Sequence, residues 1–272
     1  MKIALIQLDI AWEDKAANYA RAAVFIARAR DEGAELVCLP ELFATGFSMR
    51  SNELSEPSGG PTDEWIREQA ATNGVPVLGT LIETSACGTL GRNTAVLYDP
   101  AGRELLRYAK IHPFSLLEEN RHYEAGDHVP VIDFGGFRLA VAICYDLRFP
   151  ETFRHATIVD RADLFLVPAS WPTTRAAHWD LLLRARALEN LAYVAGINRT
   201  GEGGGLVFDG RSQVVDPLGE VRARTVDEET IVMADVDPDR VAQVRSELAF
   251  IADAHFDPNA PKASEPAHPD AR

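Results

Sequence analysis

At 272 residues the chain is near the upper limit for one hydrophobic core, and its 46% hydrophobic and 25% charged composition excludes a disordered or fibrous polymer. Lys and Arg number 27 against 41 Asp and Glu, a net charge of -14 that repels phosphate backbones and anionic lipid and argues against nucleic-acid or membrane partners. Three cysteines (Cys38, Cys87, Cys144) are odd in number and too few for a disulfide framework, which points to the reducing cytoplasm.

The chain opens with an apolar strand over 2–8, too short for a signal peptide, and no apolar run approaches the ~20 residues of a bilayer span. Apolar residues at helical spacing (Ala22, Phe25, Ile26, Ala29) predict a helix over 18–30, stopped by Gly33. A short strand over 36–39 ends at Pro40. A helix is expected over 62–72 with Thr62 as its cap, then strands over 75–83, 93–98 and 104–108. Residues 111–130 read as a long irregular stretch, a length usually reserved for function. Next come a hairpin over 131–143, a helix over 151–159, a strand over 164–167, a helix over 175–190 and a strand over 193–198. Residues 206–208 and 212–215 read as a further hairpin about Asp209-Gly210.

Two Asp-Pro-x-Gly turns, at 99–102 and 216–219, each follow an apolar strand, a hint that two halves share one plan. Strands continue over 220–224 and 230–236, and a short helix begins near Pro238. The alternation predicts an α/β layered sandwich, one domain over 1–252, with an aperiodic proline-containing tail over 253–272.

Three reactive side chains share one setting, the end of an apolar strand. Glu41 follows Pro40, which cannot donate to a ladder, and suits general-base work. Lys110 separates a strand from the long loop, where a fixed ammonium stabilises a developing oxyanion. Cys144, in Ile143-Cys144-Tyr145-Asp146-Leu147-Arg148-Phe149-Pro150, stands at a strand-to-helix turn, a thiol analogue of the nucleophile elbow. Taken singly, each is better read as a surface Glu, a solvated Lys or an inert buried Cys. Cys38 falls inside a strand and Cys87 in a polar loop.

The ordered trio resembles the nitrilase superfamily of carbon–nitrogen hydrolases, over residues 2 to about 237. The resemblance implies an α-β-β-α sandwich with Glu41 as base, Lys110 as oxyanion cation, Cys144 as nucleophile and no cofactor or metal. A second glutamate is implied in the long loop, and Glu119 matches better than Glu118. Leu39-Pro40-Glu41-Leu42-Phe43-Ala44-Thr45-Gly46-Phe47-Ser48-Met49, Ala169-Ser170-Trp171-Pro172 and Arg184-Ala185-Arg186-Ala187-Leu188-Glu189-Asn190 look like the ω-amidase branch, which acts on 2-oxo acid amides such as 2-oxoglutaramate. The Cys144 segment is equally similar to amidases of deaminated glutathione, and N-carbamoyl hydrolases use the same trio. A homodimer is also implied.

A dicarboxylate-derived amide needs a cation at its far end. Arg175 and Arg148 are the candidates, with Trp171, Phe114 and Trp179 as apolar walls and the Tyr145 backbone N–H as an oxyanion donor. Arg184, Arg186 and Glu189 are expected to tie one helix down by ion pairs. A Cys–His pair using His112 is the internal rival to Glu41 as base. The seven His show no zinc-ligand spacing, and Gly203-Gly204-Gly205 lacks the Lys-Ser/Thr of a phosphate-binding loop. A non-catalytic interaction protein of the same fold is the alternative of a different class.

Overall fold

The computed structural model describes residues 1–254. Its strands are β1 (Lys2–Gln7), β2 (Leu36–Cys38), β3 (Val77–Thr84), β4 (Gly91–Tyr98), β5 (Glu104–Ala109), β6 (Val131–Phe134) and β7 (Phe137–Val141). They continue with β8 (Leu164–Ala169), β9 (Tyr193–Asn198), β10 (Thr200–Gly203), β11 (Leu206–Asp209), β12 (Gln213–Val215), β13 (Val221–Arg224) and β14 (Thr230–Asp235). The helices are α1 (Lys15–Asp31), α2 (Ser51–Leu54), α3 (Pro61–Asn73), α4 (Glu119–His122), α5 (Pro150–Asp160), α6 (Ala176–Asn190) and α7 (Pro238–Glu247).

Two six-stranded sheets are ordered β14-β1-β2-β3-β4-β5 and β13-β12-β9-β8-β7-β6. In the first, β1, β2 and β3 run parallel, β4 and β5 follow as antiparallel hairpins, and β14 closes the other edge. The second repeats this with β7, β8 and β9 parallel, β12 and β13 antiparallel, and β6 at the far edge. Each Asp-Pro-x-Gly turn joins the last two strands of its sheet, so the sequence hint of two matched halves corresponds to the topology.

Side-chain alternation builds the layers. On β1, Ile3 and Leu5 face the second sheet with Leu139, Leu166 and Ile197, while Ala4 and Ile6 face α1 and α3. On β8, Leu166 points to the inter-sheet core and Phe165 and Val167 to α5 and α6. The result is a four-layer α-β-β-α sandwich, as the sequence implies.

Several local readings are corrected. Helix α1 starts earlier than its apolar spacing suggests, because the Asp14 side chain accepts from the Ala17 N–H and caps it. At α3 the cap position is Gly60, with Pro61 opening the helix, and Thr62 instead donates to the Glu56 carboxylate. The hairpin expected over 206–215 does not form: β11 pairs with β10, and β12 pairs with β9 and β13. Residues 111–130 are not wholly irregular, since a one-turn 3-10 segment and α4 lie within them. The tail expected over 253–272 lies, from residue 255 onward, outside the described residues.

Candidate active site

Glu41, Lys110, Glu119 and Cys144 meet where the carboxyl ends of strands from both sheets converge. β2 makes its last ladder contact through the Leu39 N–H on the Leu78 carbonyl, 2.9 Å. Pro40 then ends the strand, and Leu42 bends the chain inward at φ 48°. Glu41 is 0% exposed. Its Oε1 accepts from Lys110 Nζ at 3.0 Å and Asn93 Nδ2 at 2.8 Å, and its Oε2 accepts from the Ser170 N–H at 2.8 Å. Lys110 leaves β5 with its own N–H on the Asn93 carbonyl, 2.9 Å, and its Nζ also donates to both Glu119 oxygens, at 3.0 and 2.9 Å.

Of the two neighbouring acids in the long loop, Glu119 is the one turned inward. Glu118 adopts φ 59°, stays exposed and pairs with Arg121, which rotates Glu119 into the interior. There Glu119 also accepts from the Phe114 N–H, tying the loop to Lys110.

β7 stops at Val141, two residues before the expected strand end at 143, and the chain tightens into a turn over 144–148 ahead of Pro150 and α5. Cys144 sits at φ 46°, a backbone region that costs a non-glycine residue of order 1 kcal/mol or more. As a residue Cys144 is half-buried, less open than expected for an elbow, and it lines one cleft with Lys110, Tyr145 and Ser170.

These groups set one another's charge. Burial disfavours the Lys110 ammonium, but the carboxylates of Glu119 and Glu41 outweigh it and hold its pKa well above the ordinary lysine value. Burial raises Glu119, against the opposing pull of Lys110. Burial followed by the Glu41 charge pushes the Cys144 thiol well above its usual range, with Lys110 opposing. The resting sulfur is therefore a neutral thiol, and it needs a base before it attacks.

The cleft walls include Phe47, Phe114, Tyr145, Arg148, Trp171 and Arg175. Arg148 stacks over the Trp171 ring at 4.8 Å, with its Nη2 3.1 Å from His178 Nδ1, and Arg175 stacks over Phe114 at 5.2 Å. Among the described residues neither guanidinium has a carboxylate partner, and burial together with the Arg175 charge lowers the Arg148 pKa. Trp179, expected as a wall, stands one layer back: it is 0% exposed, contacts Trp171 at 5.5 Å and donates to the Arg211 carbonyl. Arg186 pairs with Glu189 at 3.0 Å as expected, whereas Arg184 donates to the Gly219 carbonyl rather than to an acid. His112 bonds to Asp146 and stacks on Phe149 at 3.7 Å.

Asn93, Ser170 and Phe47 belong to the site without having been singled out from sequence. Asn93 sits mid-pattern in β4, while Ser170 and Phe47 lie inside motifs already conspicuous for other residues. Phe47 covers Lys110, with Nζ 5.1 Å from its ring centroid. Only Ser170 carried a positional signal, since it directly follows the end of β8.

The carbon-nitrogen hydrolase family model matches residues 2–246. Among curated relatives, a 2-oxoglutaramate amidase of Bacillus subtilis is 32% identical over 256 residues, covering 94% of this chain and 98% of that protein. The omega-amidase YafV of Yersinia enterocolitica is 34% identical over 251 residues, covering 92% and 90%. Among solved structures, a CN-hydrolase superfamily protein from Xanthomonas campestris with an arsenic adduct in its active site has a TM-score of 0.89 at 33% identity, covering 94% and 97%. An amidase from Nesterenkonia sp. AN1, whose active-site cysteine carries a Michael adduct of acrylamide, has a TM-score of 0.81 at 31% identity, covering 92% and 98%. The chain belongs to the carbon–nitrogen hydrolase family.

Proposed function

We propose that the protein is a cysteine-dependent ω-amidase that hydrolyses the terminal amide of a small 2-oxo acid such as 2-oxoglutaramate. The observation that carries the reading is the buried line Glu41–Lys110–Glu119 beside the Cys144 thiol. Glu41 takes the thiol proton, and the thiolate attacks the amide carbon. Lys110 and the Tyr145 backbone N–H hold the tetrahedral oxyanion. Glu41 returns the proton to the leaving nitrogen, ammonia departs, and a thioester remains on Cys144. Water, deprotonated by Glu41, then releases the dicarboxylate and the thiol. Glu119 keeps Lys110 charged and aimed. His112 does not act as base in this scheme, because its Nδ1 is engaged by Asp146.

Substrate choice rests on the two guanidiniums. Arg148 and Arg175 converge on the cleft without acidic partners among the described residues, which leaves their charge for a carboxylate at the far end of the substrate. The cleft beside Cys144 is narrow and walled by Phe47, Phe114, Tyr145 and Trp171, which favours a slender amide over a bulky one. The relatives' names, omega-amidase and 2-oxoglutaramate amidase, support the same substrate class.

The reading extends to one catalytic domain over 1–252, consistent with the family match over 2–246. Three free cysteines support a cytoplasmic location, and no described helix is long and apolar enough to cross a membrane. Exposed Val159, Leu181 and Leu188 on α5 and α6 support a homodimer packed through that face.

An ammonia-release screen over 2-oxoglutaramate, 2-oxosuccinamate, deaminated glutathione, carbamoyl-β-alanine and simple nitriles tests the proposal. It predicts the highest kcat/KM for one of the first two. A clear preference for any of the others overturns the substrate assignment.

A further inference from the structure

Cys144 and Lys110 come from different sheets, and a reacting carbonyl must fit between a strained backbone position and the tip of a long side chain. Asp146, two residues after Cys144, spans that join. It is 0% exposed. Its Oδ2 accepts from the Ile143 N–H at 2.8 Å, immediately before the thiol residue, and from Tyr108 Oη at 2.6 Å. Its Oδ1 accepts from the His112 N–H at 3.0 Å and from His112 Nδ1 at 2.8 Å. Tyr108 and His112 flank Lys110 by two residues on either side. The Tyr108 hydroxyl in turn accepts from the Ile111 N–H at 3.3 Å. One buried carboxylate thus holds the backbone before Cys144 with one oxygen and the backbone after Lys110 with the other.

We infer that Asp146 is a positioning residue that sets the spacing of Cys144 from Lys110 through its paired bonds to the Ile143 and His112 N–H groups. The inference rests on the proposed roles of those two side chains. A carboxylate is required here for a simple reason: four donors converge on two oxygens, and two of them are backbone N–H groups that cannot reverse. An asparagine offers one oxygen and one NH2, so either placement of its amide sets N–H against a backbone N–H. Tyr108 and the His112 ring are expendable by comparison, because each can turn or change tautomer while both backbone bonds survive.

The test compares Asp146→Asn, the double variant Tyr108→Phe/His112→Ala and Cys144→Ala in the full chain, by steady-state ammonia release from 2-oxoglutaramate at 25 °C. Rates are normalised to folded sites by circular dichroism and, in the variants that keep the thiol, by alkylation stoichiometry at Cys144. For Asp146→Asn the expected result is a kcat at least 100-fold lower with KM within threefold of the parent. A purely structural role would instead lower the number of folded sites and leave kcat per site unchanged, and a kcat per site within threefold overturns the inference. The double variant keeps both backbone bonds, and its kcat should stay within tenfold. A loss above 100-fold there contradicts the inference even if Asp146→Asn does not fold. Cys144→Ala is the separate control: activity surviving in it refutes the proposed function rather than the role of Asp146.

Discussion

In the first half of the molecule β2 runs into Leu39-Pro40-Glu41; in the second, β8 holds the same place in its own sheet and runs into Ala169-Ser170-Trp171. The two strand ends touch. The Ser170 N–H donates to the Glu41 carboxylate at 2.8 Å, and Ser170 Oγ donates to the Glu41 carbonyl at 3.2 Å. A carboxylate at both ends would set two buried like charges together; a carboxylate facing a backbone donor and a neutral hydroxyl does not. The same asymmetry holds across the cleft. Glu41, Asn93, Lys110 and Glu119, all from the first half, form a buried cluster in which two carboxylates share one ammonium. The second half supplies a thiol held neutral and two arginines without acidic partners among the described residues. One half pairs its charges within itself, and in the proposed function the other half is left for substrate.

That contrast is broken most severely at the β2 end. Glu41→Gln keeps the shape of the side chain and removes the acceptor for the thiol proton. Its kcat in ammonia release should fall by about three to four orders of magnitude, by analogy with other concerted triads. Near-normal turnover would show that the closed half does not supply the base.

Next in size is the open half's share of binding. Arg175→Met should raise KM for 2-oxoglutaramate by about tenfold or more, the scale of one lost charge-assisted contact, with little change in kcat. An uncharged amide such as propionamide should show no such change. If KM for the dicarboxylate-derived substrate is unaltered, Arg175 is a wall and not a clamp.

The neutral state of Cys144 has its own signature. Cys87 is exposed, and hydrogen bonds within its turn, first from Ser85 and then from Thr89, lower its thiol pKa to about 7. Cys144 is shifted the opposite way by burial and by Glu41. At pH 7, roughly half of Cys87 is thiolate, so iodoacetamide should label Cys87 before Cys144, as peptide mapping will report. Cys87→Ser should remove the fast phase and leave turnover within twofold. Labelling of Cys144 first would contradict the resting charge assignment.

The smallest effect belongs to the β8 end. Ser170→Ala removes only the 3.2 Å Oγ bond and keeps the backbone N–H on Glu41, so kcat should remain within about threefold. A large loss would mean that the two strand ends cooperate through the hydroxyl.

The residues legible in sequence are those that interrupt a pattern. Glu41 follows a proline that ends an apolar strand, Lys110 opens a long loop, and Cys144 closes an apolar run shortly before a helix-starting proline. Asn93 interrupts nothing, because a polar residue in β4 reads as ordinary alternation; only the fold aims its amide at Glu41. The resemblance favours Glu119 over Glu118, but the physical cause, a left-handed backbone at Glu118, is one no spacing predicts for a glutamate. Asp146 was visible as part of the Cys144 segment, yet its partners Tyr108 and His112 are more than 30 residues away. The pairing of β11 with β10 was illegible for a related reason. An Asp-Gly pair between two apolar runs favours a local hairpin, but β12 gains more by adding to β9 in the second sheet.

The central claim is that one sulfur carries the acyl group through turnover. Ammonia release by Cys144→Ala, with 2-oxoglutaramate and with folding verified by circular dichroism, tests it most directly. The account predicts a rate indistinguishable from the uncatalysed background, at least four orders of magnitude below the parent on the scale of other covalent hydrolases. A rate within tenfold of the parent would contradict it.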